Sequence, residues 1–190
     1  VERFNIKEFM IDSTTMQPDL AHKISTMNKY KAIIIAKPTI PFNKIDKLII
    51  DQYIMNGGRV LWIIDGVKAS MDSLSSNRSS FIANYNNLNL DDQLFKYGVR
   101  INPDLIEDLR STKIPIVTGY SNNIPQQTFF KWPYYPLLFS ENNHPVSRNL
   151  DAVRCNFVSS IDTINNNIKK TILLNSSDKS RSIIAPAEVS

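Results

Sequence analysis

Asp65 follows the apolar run 60–64 (VLWII) and is itself followed by Gly66. Open α/β sheets bind ligands outside the carboxyl ends of their strands, so a carboxylate there is placed to meet one. An aspartate at a strand end also caps turns and helices, and both readings stand. Asp91, in the pair Asp91-Asp92, has the same two readings and leans further towards capping. The other candidate is aromatic. Trp132, Tyr134 and Tyr135 lie in the stretch 129–136 (FFKWPYYP). Such side chains bring apolar area with a polar handle, which suits either a partner surface or a core. Base stacking on nucleic acid would need an accompanying basic groove, and the sequence supplies none.

Other chemistries lack their residues. The five glycines, Gly57, Gly58, Gly66, Gly98 and Gly119, fit neither a dinucleotide fingerprint nor a phosphate loop, which need glycines at fixed offsets. The two histidines, His22 and His144, stand apart, whereas metal sites gather several His, Cys or carboxylate ligands. His144 lies in Asn-Asn-His-Pro, a turn-like sequence. Cys155, the single cysteine, precludes an internal disulfide and sits in an extended stretch without the glycine elbow of a nucleophile. The expectation is no catalytic residue, no metal and no cofactor.

The elements that would position these residues begin with residues 30–66. Residues 32–36 (AIIIA) and 60–64 are continuous apolar runs, the pattern of parallel strands buried on both faces. Between them Asn43 is a helix N-cap with Asp46 three residues on. Ile45, Leu48, Ile49 and Tyr53 form the predicted apolar face, and Gly57-Gly58 ends the helix. Strand, helix and strand predict a right-handed parallel crossover. Residues 4–11 predict a preceding strand and 18–27 a short helix on Leu20, Ile24 and Met27. Residues 67–87, rich in Ser and Asn, read as a long mobile excursion with at most a short helix. A helix capped by Asn89 and ended by Gly98 follows. Strands are predicted at 99–101, 114–118, 129–132, 157–161 and 171–174, making the second half β-rich. Residues 1–175 read as a single α/β domain and 176–190 as a polar, frayed tail.

Composition agrees with a globular fold. Of 190 residues, 42% are hydrophobic and 21% charged. The net charge of +4 is dispersed, which argues against nucleic-acid binding. No apolar run approaches the ~20 residues of a membrane-spanning helix. The chain opens on Val1 without a signal-peptide pattern, which reads as a piece of a longer protein.

Several segments together resemble a known family. They are 30–38 (YKAIIIAKP), Phe42 with 51–58 (DQYIMNGG), 60–66 (VLWIIDG), 88–102 (LNLDDQLFKYGVRIN) and 132–137 (WPYYPL). His144-Pro145-Val146, Asn149-Leu150-Asp151 and 157–164 (FVSSIDTI) complete the set. The chain is similar over residues 4–174 to the GldG family of gliding-motility-associated ABC transporter components. The wider group is the auxiliary domain of uncharacterised ABC transport systems, related to a domain of an intraflagellar-transport protein. The resemblance implies a three-layer α/β sandwich with a mostly parallel sheet, flavodoxin- or glutamine-amidotransferase-like. It implies a membrane-anchored position on the periplasmic face of the bacterial inner membrane and partnership with permease and ATPase subunits, and leaves a homo-oligomer open. The family is labelled substrate-binding. The leading expectation is a non-enzymatic accessory domain acting by protein contact. The alternatives are a small-molecule binder for a sugar or peptide at Asp65, and a degenerate hydrolase.

Overall fold

The computed structural model describes residues 7, 20–75, 80–141 and 143–190. The strand expected at residues 4–11 lies outside them except for residue 7. In chain order the elements are α1 (Leu20–Met27), β1 (Ile33–Ala36), α2 (Lys44–Met55), β2 (Val60–Ile63), β3 (Val67–Lys68), α3 (Asp72–Ser75), β4 (Phe81–Tyr85) and α4 (Asp91–Lys96). They continue with β5 (Val99–Ile101), β6 (Asp104–Asp108), β7 (Ser111–Ser121), β8 (Ile124–Leu138), β9 (Val153–Arg154), β10 (Ile161–Thr163), β11 (Ser180–Ile184) and β12 (Ala187–Val189). The chain divides into two compact units, one running to Ile64 and taking in Leu88–Gln93, the other comprising Asp65–Asn87 and Leu94–Ser190.

In the first unit β1 pairs parallel with β2, Ile33 opposite Val60 and Ala36 opposite Ile63. The crossover is α2, and both its ends follow from sequence. Asn43 Oδ1 accepts from the backbone N–H groups of Ile45 and Asp46, each at 2.9 Å, while the Asp46 carboxylate accepts from Asn43 N–H at 3.2 Å. This reciprocal box satisfies donors that the first turn cannot pair internally. At the other end Gly57, with φ of +87°, donates to Ile54 carbonyl, and Gly58 donates to Tyr53 carbonyl. Those two bonds make the left-handed stop that favours glycine.

Met27, Ile49, Ile50 and Tyr53 are the buried centre of this unit, with Ile33, Ile35, Val60 and Trp62 packed against it. Each large apolar side chain buried here stabilises by about 1.5–3 kcal/mol before entropy is subtracted. The buried face of α2 is rotated from the expected one: Ile50 is inside, while Ile45 and Leu48 are exposed. The strands also differ from the expectation of double burial. Their residues alternate, and Ile34 and Leu61 remain 63% and 54% exposed.

The second unit overturns the expected fold class. Every strand pairing in it is antiparallel, in small sheets ordered β12-β4-β3, β7-β8-β9, β10-β5 and β11-β6. The protein is therefore not a mostly parallel, three-layer flavodoxin-like sandwich. The reason is connection length. A parallel pair needs a crossover of a dozen or more residues, usually helical, whereas antiparallel pairs close through tight turns. After Gly66 the described helices span only four and six residues, too short for such a crossover, whereas α2 before it spans twelve.

Other segments depart from expectation in the same way. Residues expected to form a mobile excursion with at most a short helix contain the strands β3 and β4 beside the short α3. Asn89 does not cap α4 as the residue before its first turn; it has φ of +56° and donates from Nδ2 to Phe42 carbonyl at 2.7 Å. Residues 171–174 are not a strand. The segment read as a frayed tail supplies β11, paired with β6, and β12, paired with β4, with Val189 fully buried.

The core of the second unit gathers Val67, Ala83, Leu105, Ile114, Tyr134, Tyr135, Phe157 and Val189. Phe157 stands at its middle, its ring 6.2, 6.0 and 5.4 Å from those of Phe81, Tyr134 and Tyr135. Its backbone is left-handed, with φ of +50°, a strained conformation for a bulky residue. Two aspartates tie loops to this core. Asp104 accepts from Ser160 N–H at 2.7 Å and Ser160 Oγ at 2.6 Å. Asp108, 1% exposed, accepts from Arg110 N–H and from both the N–H and Oγ of Ser177, at 2.5–2.8 Å. Burial pushes the Asp108 pKa up, but the Ser177 and Arg110 bonds outweigh it and hold the carboxyl below its ordinary value.

Three outcomes follow for denaturation of the intact chain. Asn43→Ala is expected to cost about 1 kcal/mol in chemical unfolding, the usual loss for an N-cap. Phe157→Ala is expected to cost about 3–5 kcal/mol, as for large aromatic truncations in a core; a change below that for Asn43→Ala would contradict its central place. Because the folded pKa of Asp108 lies below the unfolded value of about 3.9, its stabilisation is full above that pH and is lost as pH falls through the folded value. Asp108→Asn is therefore expected to lower the melting temperature at neutral pH, and the gap to wild type should close in acid. A gap independent of pH would contradict the assignment.

Candidate functional site

The sequence candidates fall in separate places. Asp65 and Gly66 follow β2, and Asn86 fastens both: its Nδ2 donates to Asp65 carbonyl and its N–H to Gly66 carbonyl, each at 2.9 Å. Space at Gly66 is taken. A Cβ there would stand 2.6 Å from Ser159 Oγ and 2.8 Å from Asn102 carbonyl oxygen, so glycine is required by close approach. Asp91 is exposed in the first turn of α4, where its charge favours the helix end. Its neighbour Asp92 pairs with Lys47 at 2.7 Å, and that bond lowers the Asp92 pKa.

Trp132, Tyr134 and Tyr135 do come together, on the inner half of β8. Trp132 and Tyr134 lie ring to ring at 5.6 Å, and both tyrosines are buried against Phe157. Burial, reinforced by the nearby Glu107 carboxylate, pushes the Tyr134 phenol up to about 12. Burial also raises Tyr135, opposed by the Arg154 guanidinium, which stands 4.8 Å over its ring. These tyrosines are neutral packing groups at ordinary pH.

Groups considered for nucleophilic chemistry have other engagements. Cys155 is partly buried, which raises its thiol pKa and disfavours thiolate. His144 accepts the Val146 N–H at Nδ1, and its carbonyl accepts from Ser147 and Arg148, so it organises a turn. The hydroxyls of Ser160 and Ser177 donate to the aspartates described above and hold loops. Among the described residues no group of three or more His, Cys, Asp or Glu could hold a metal ion, and no helix is long and apolar enough to cross a membrane.

In the first unit a shallow depression of about 360 Å³ is bordered by Asn28, Lys29, Tyr30 and Lys31 and by Tyr53 and Asn56 to Gly58. These residues precede β1 and β2, so it lies at the amino ends of the parallel strands, opposite the end where a ligand was expected.

The most exposed built feature is the outer part of the β7–β8 hairpin. Its two strands are joined by Asn122-Asn123 alone, with φ of +51° and +63°. Left-handed conformation at both positions of a two-residue loop is the geometry that matches strand twist, and asparagine tolerates it. From Lys113 opposite Lys131 to Ser121 opposite Ile124 the ribbon extends about 27 Å at the usual rise per residue. β9 pairs only with Leu137 and Leu138, at the inner end. Along the outer part, no third strand is paired to either edge among the described residues. Directly opposed residues share a face. One face carries Lys113 and Lys131, Pro115 and Phe129, Val117 and Gln127, then Tyr120 and Pro125. The other carries Ile114, which enters the core, and Phe130, then Ile116 with Thr128. Tyr120, Ile124 and Phe129 are 74%, 67% and 60% exposed. The sequence points to Trp132, Tyr134 and Tyr135; the exposed contact residues are their neighbours, and the aromatic pair Phe129-Phe130 in the same stretch is the available signal.

Among curated proteins and among solved structures, none matches the chain. A family model described as an ABC-type uncharacterized transport system matches residues 1–190. Its match spans the entire sequence, including the hairpin and both units, and the chain therefore belongs to this family of ABC transport auxiliary components.

Proposed function

We propose that the chain works as a non-enzymatic accessory domain of an ABC transport complex, acting through protein contact within the assembly formed by the permease and ATPase subunits of its own system. The family membership over residues 1–190 is the observation that supports this reading most directly. The exposed apolar hairpin adds to it, since exposed apolar surface of this kind commonly marks a protein interface. We place the domain on the periplasmic face of the bacterial inner membrane and associate it with gliding motility, on the sequence resemblance of residues 4–174. Under this reading the burial of Tyr134 and Tyr135 and the serine–aspartate bonds serve to hold a shape for partners.

The test is recovery of the native protein, tagged at its chromosomal locus, from gently solubilised membranes. Permease and ATPase subunits of the same system are expected in amounts comparable to the bait. Recovery of the bait without either subunit, also after mild cross-linking, would overturn the reading.

A further inference from the structure

The outer β7–β8 ribbon combines three features that point to one kind of partner. First, its charge is one-sided. Between Leu109 and Ser140 the chain holds Arg110, Lys113 and Lys131 and no aspartate or glutamate. Lys113 and Lys131 lie directly opposite each other, exposed. Like charges in that arrangement disfavour the ribbon by themselves. Second, the same face continues from the lysines into Phe129, Val117 and Tyr120, all exposed. Third, a two-stranded ribbon is marginal in water unless it packs on something.

We infer that this face docks into an apolar groove rimmed by carboxylates on the permease subunit of the transport complex. Phe129, Val117 and Tyr120 fill the groove, while Lys113 and Lys131 pair with the rim. The inference rests on the accessory reading above and names the surface that serves it. Aromatic anchors in a desolvated centre with charges at the edge are the usual division between affinity and orientation. A lipid bilayer fits the ribbon poorly. Among the described residues both its edges hold backbone groups without strand partners, and Gln126 and Gln127 lie midway along it; hydrocarbon satisfies neither. A parallel arm-to-arm contact between two copies would set the lysines against each other.

The experiment uses the native chain with three alterations: Lys113→Glu with Lys131→Glu, Tyr120→Ser with Phe129→Ser, and a photo-crosslinking phenylalanine analogue at Tyr120. Circular dichroism and melting of the substituted proteins are expected to match wild type, because these side chains are exposed. Irradiation should join position 120 to the permease subunit. Each double substitution should weaken binding to the purified permease–ATPase complex by roughly tenfold, and charge reversal should also flatten the salt dependence. If wild type forms no complex, the accessory reading and this inference fall together. If the complex forms and neither double substitution weakens it, the inference fails and the accessory reading stands. Loss only in the Tyr120/Phe129 protein would overturn the acidic rim. Sedimentation with anionic phosphatidylglycerol vesicles that charge reversal abolishes, or a dimer by light scattering that either double substitution disperses, would replace the protein partner with a membrane or a second copy.

Discussion

Phe157 holds a backbone conformation that bulky residues avoid, and its ring lies against Phe81, Tyr134 and Tyr135. A left-handed residue of this type costs on the order of 1–3 kcal/mol and persists only where its surroundings over-determine it. Here they do. Its N–H donates to Tyr134 carbonyl at 2.9 Å, which ties the loop before β10 to the inner half of β8. Tyr134 and Tyr135 are thereby fixed from both sides, and β8 leaves the core in one direction. Among the described residues the ribbon beyond Lys131 has only β7 as a strand partner, so this anchorage sets where its exposed side chains stand.

The hydrogen-bonded aspartates act alongside that aromatic centre. Asp104 and Asp108 lie at the two ends of β6, and each collects a serine from a distant segment. Buried carboxylates are costly unless several donors surround them. Ser160 and Ser177 supply those donors together with their backbone N–H groups, so a short strand in a small sheet can be pinned at both ends without a long helix over it.

How much of this was legible in the sequence depended on range. The α2 caps were, because Asn43 with Asp46 and Gly57 with Gly58 act within one turn. The buried face of α2 was read one position away from its true centre: Ile49 and Tyr53 were identified and Ile50 was not, since partners from α1 and β1 decide which side is inside. Apolar runs at β1 and β2 looked doubly buried, yet alternation governs them. β11 was invisible locally, because Arg181 and Ser182 look like tail residues until Glu107 and Ile106 lie opposite. The aromatic stretch was recognised as either core or contact surface. It proves to be divided, with Tyr134 and Tyr135 inside and Phe129 and Phe130 outside. Asp65 and Gly66 were marked for a ligand, but at Gly66 the local signal reflected close packing against Ser159 and Asn102.

The two-residue turn at Asn122-Asn123 bears on how this hairpin can change over generations. With no slack in the loop, gaining or losing one residue in β7 or β8 would slide the pairing by a single step and exchange the two faces. For a change in β8, Phe129 and Lys131 would then point where Phe130 now does. Lineages should therefore lengthen or shorten the ribbon by matched pairs of residues, or absorb an odd one at the irregularity already present between Val117 and Gly119. That bulge is where natural length variation in this part of the chain has room to accumulate.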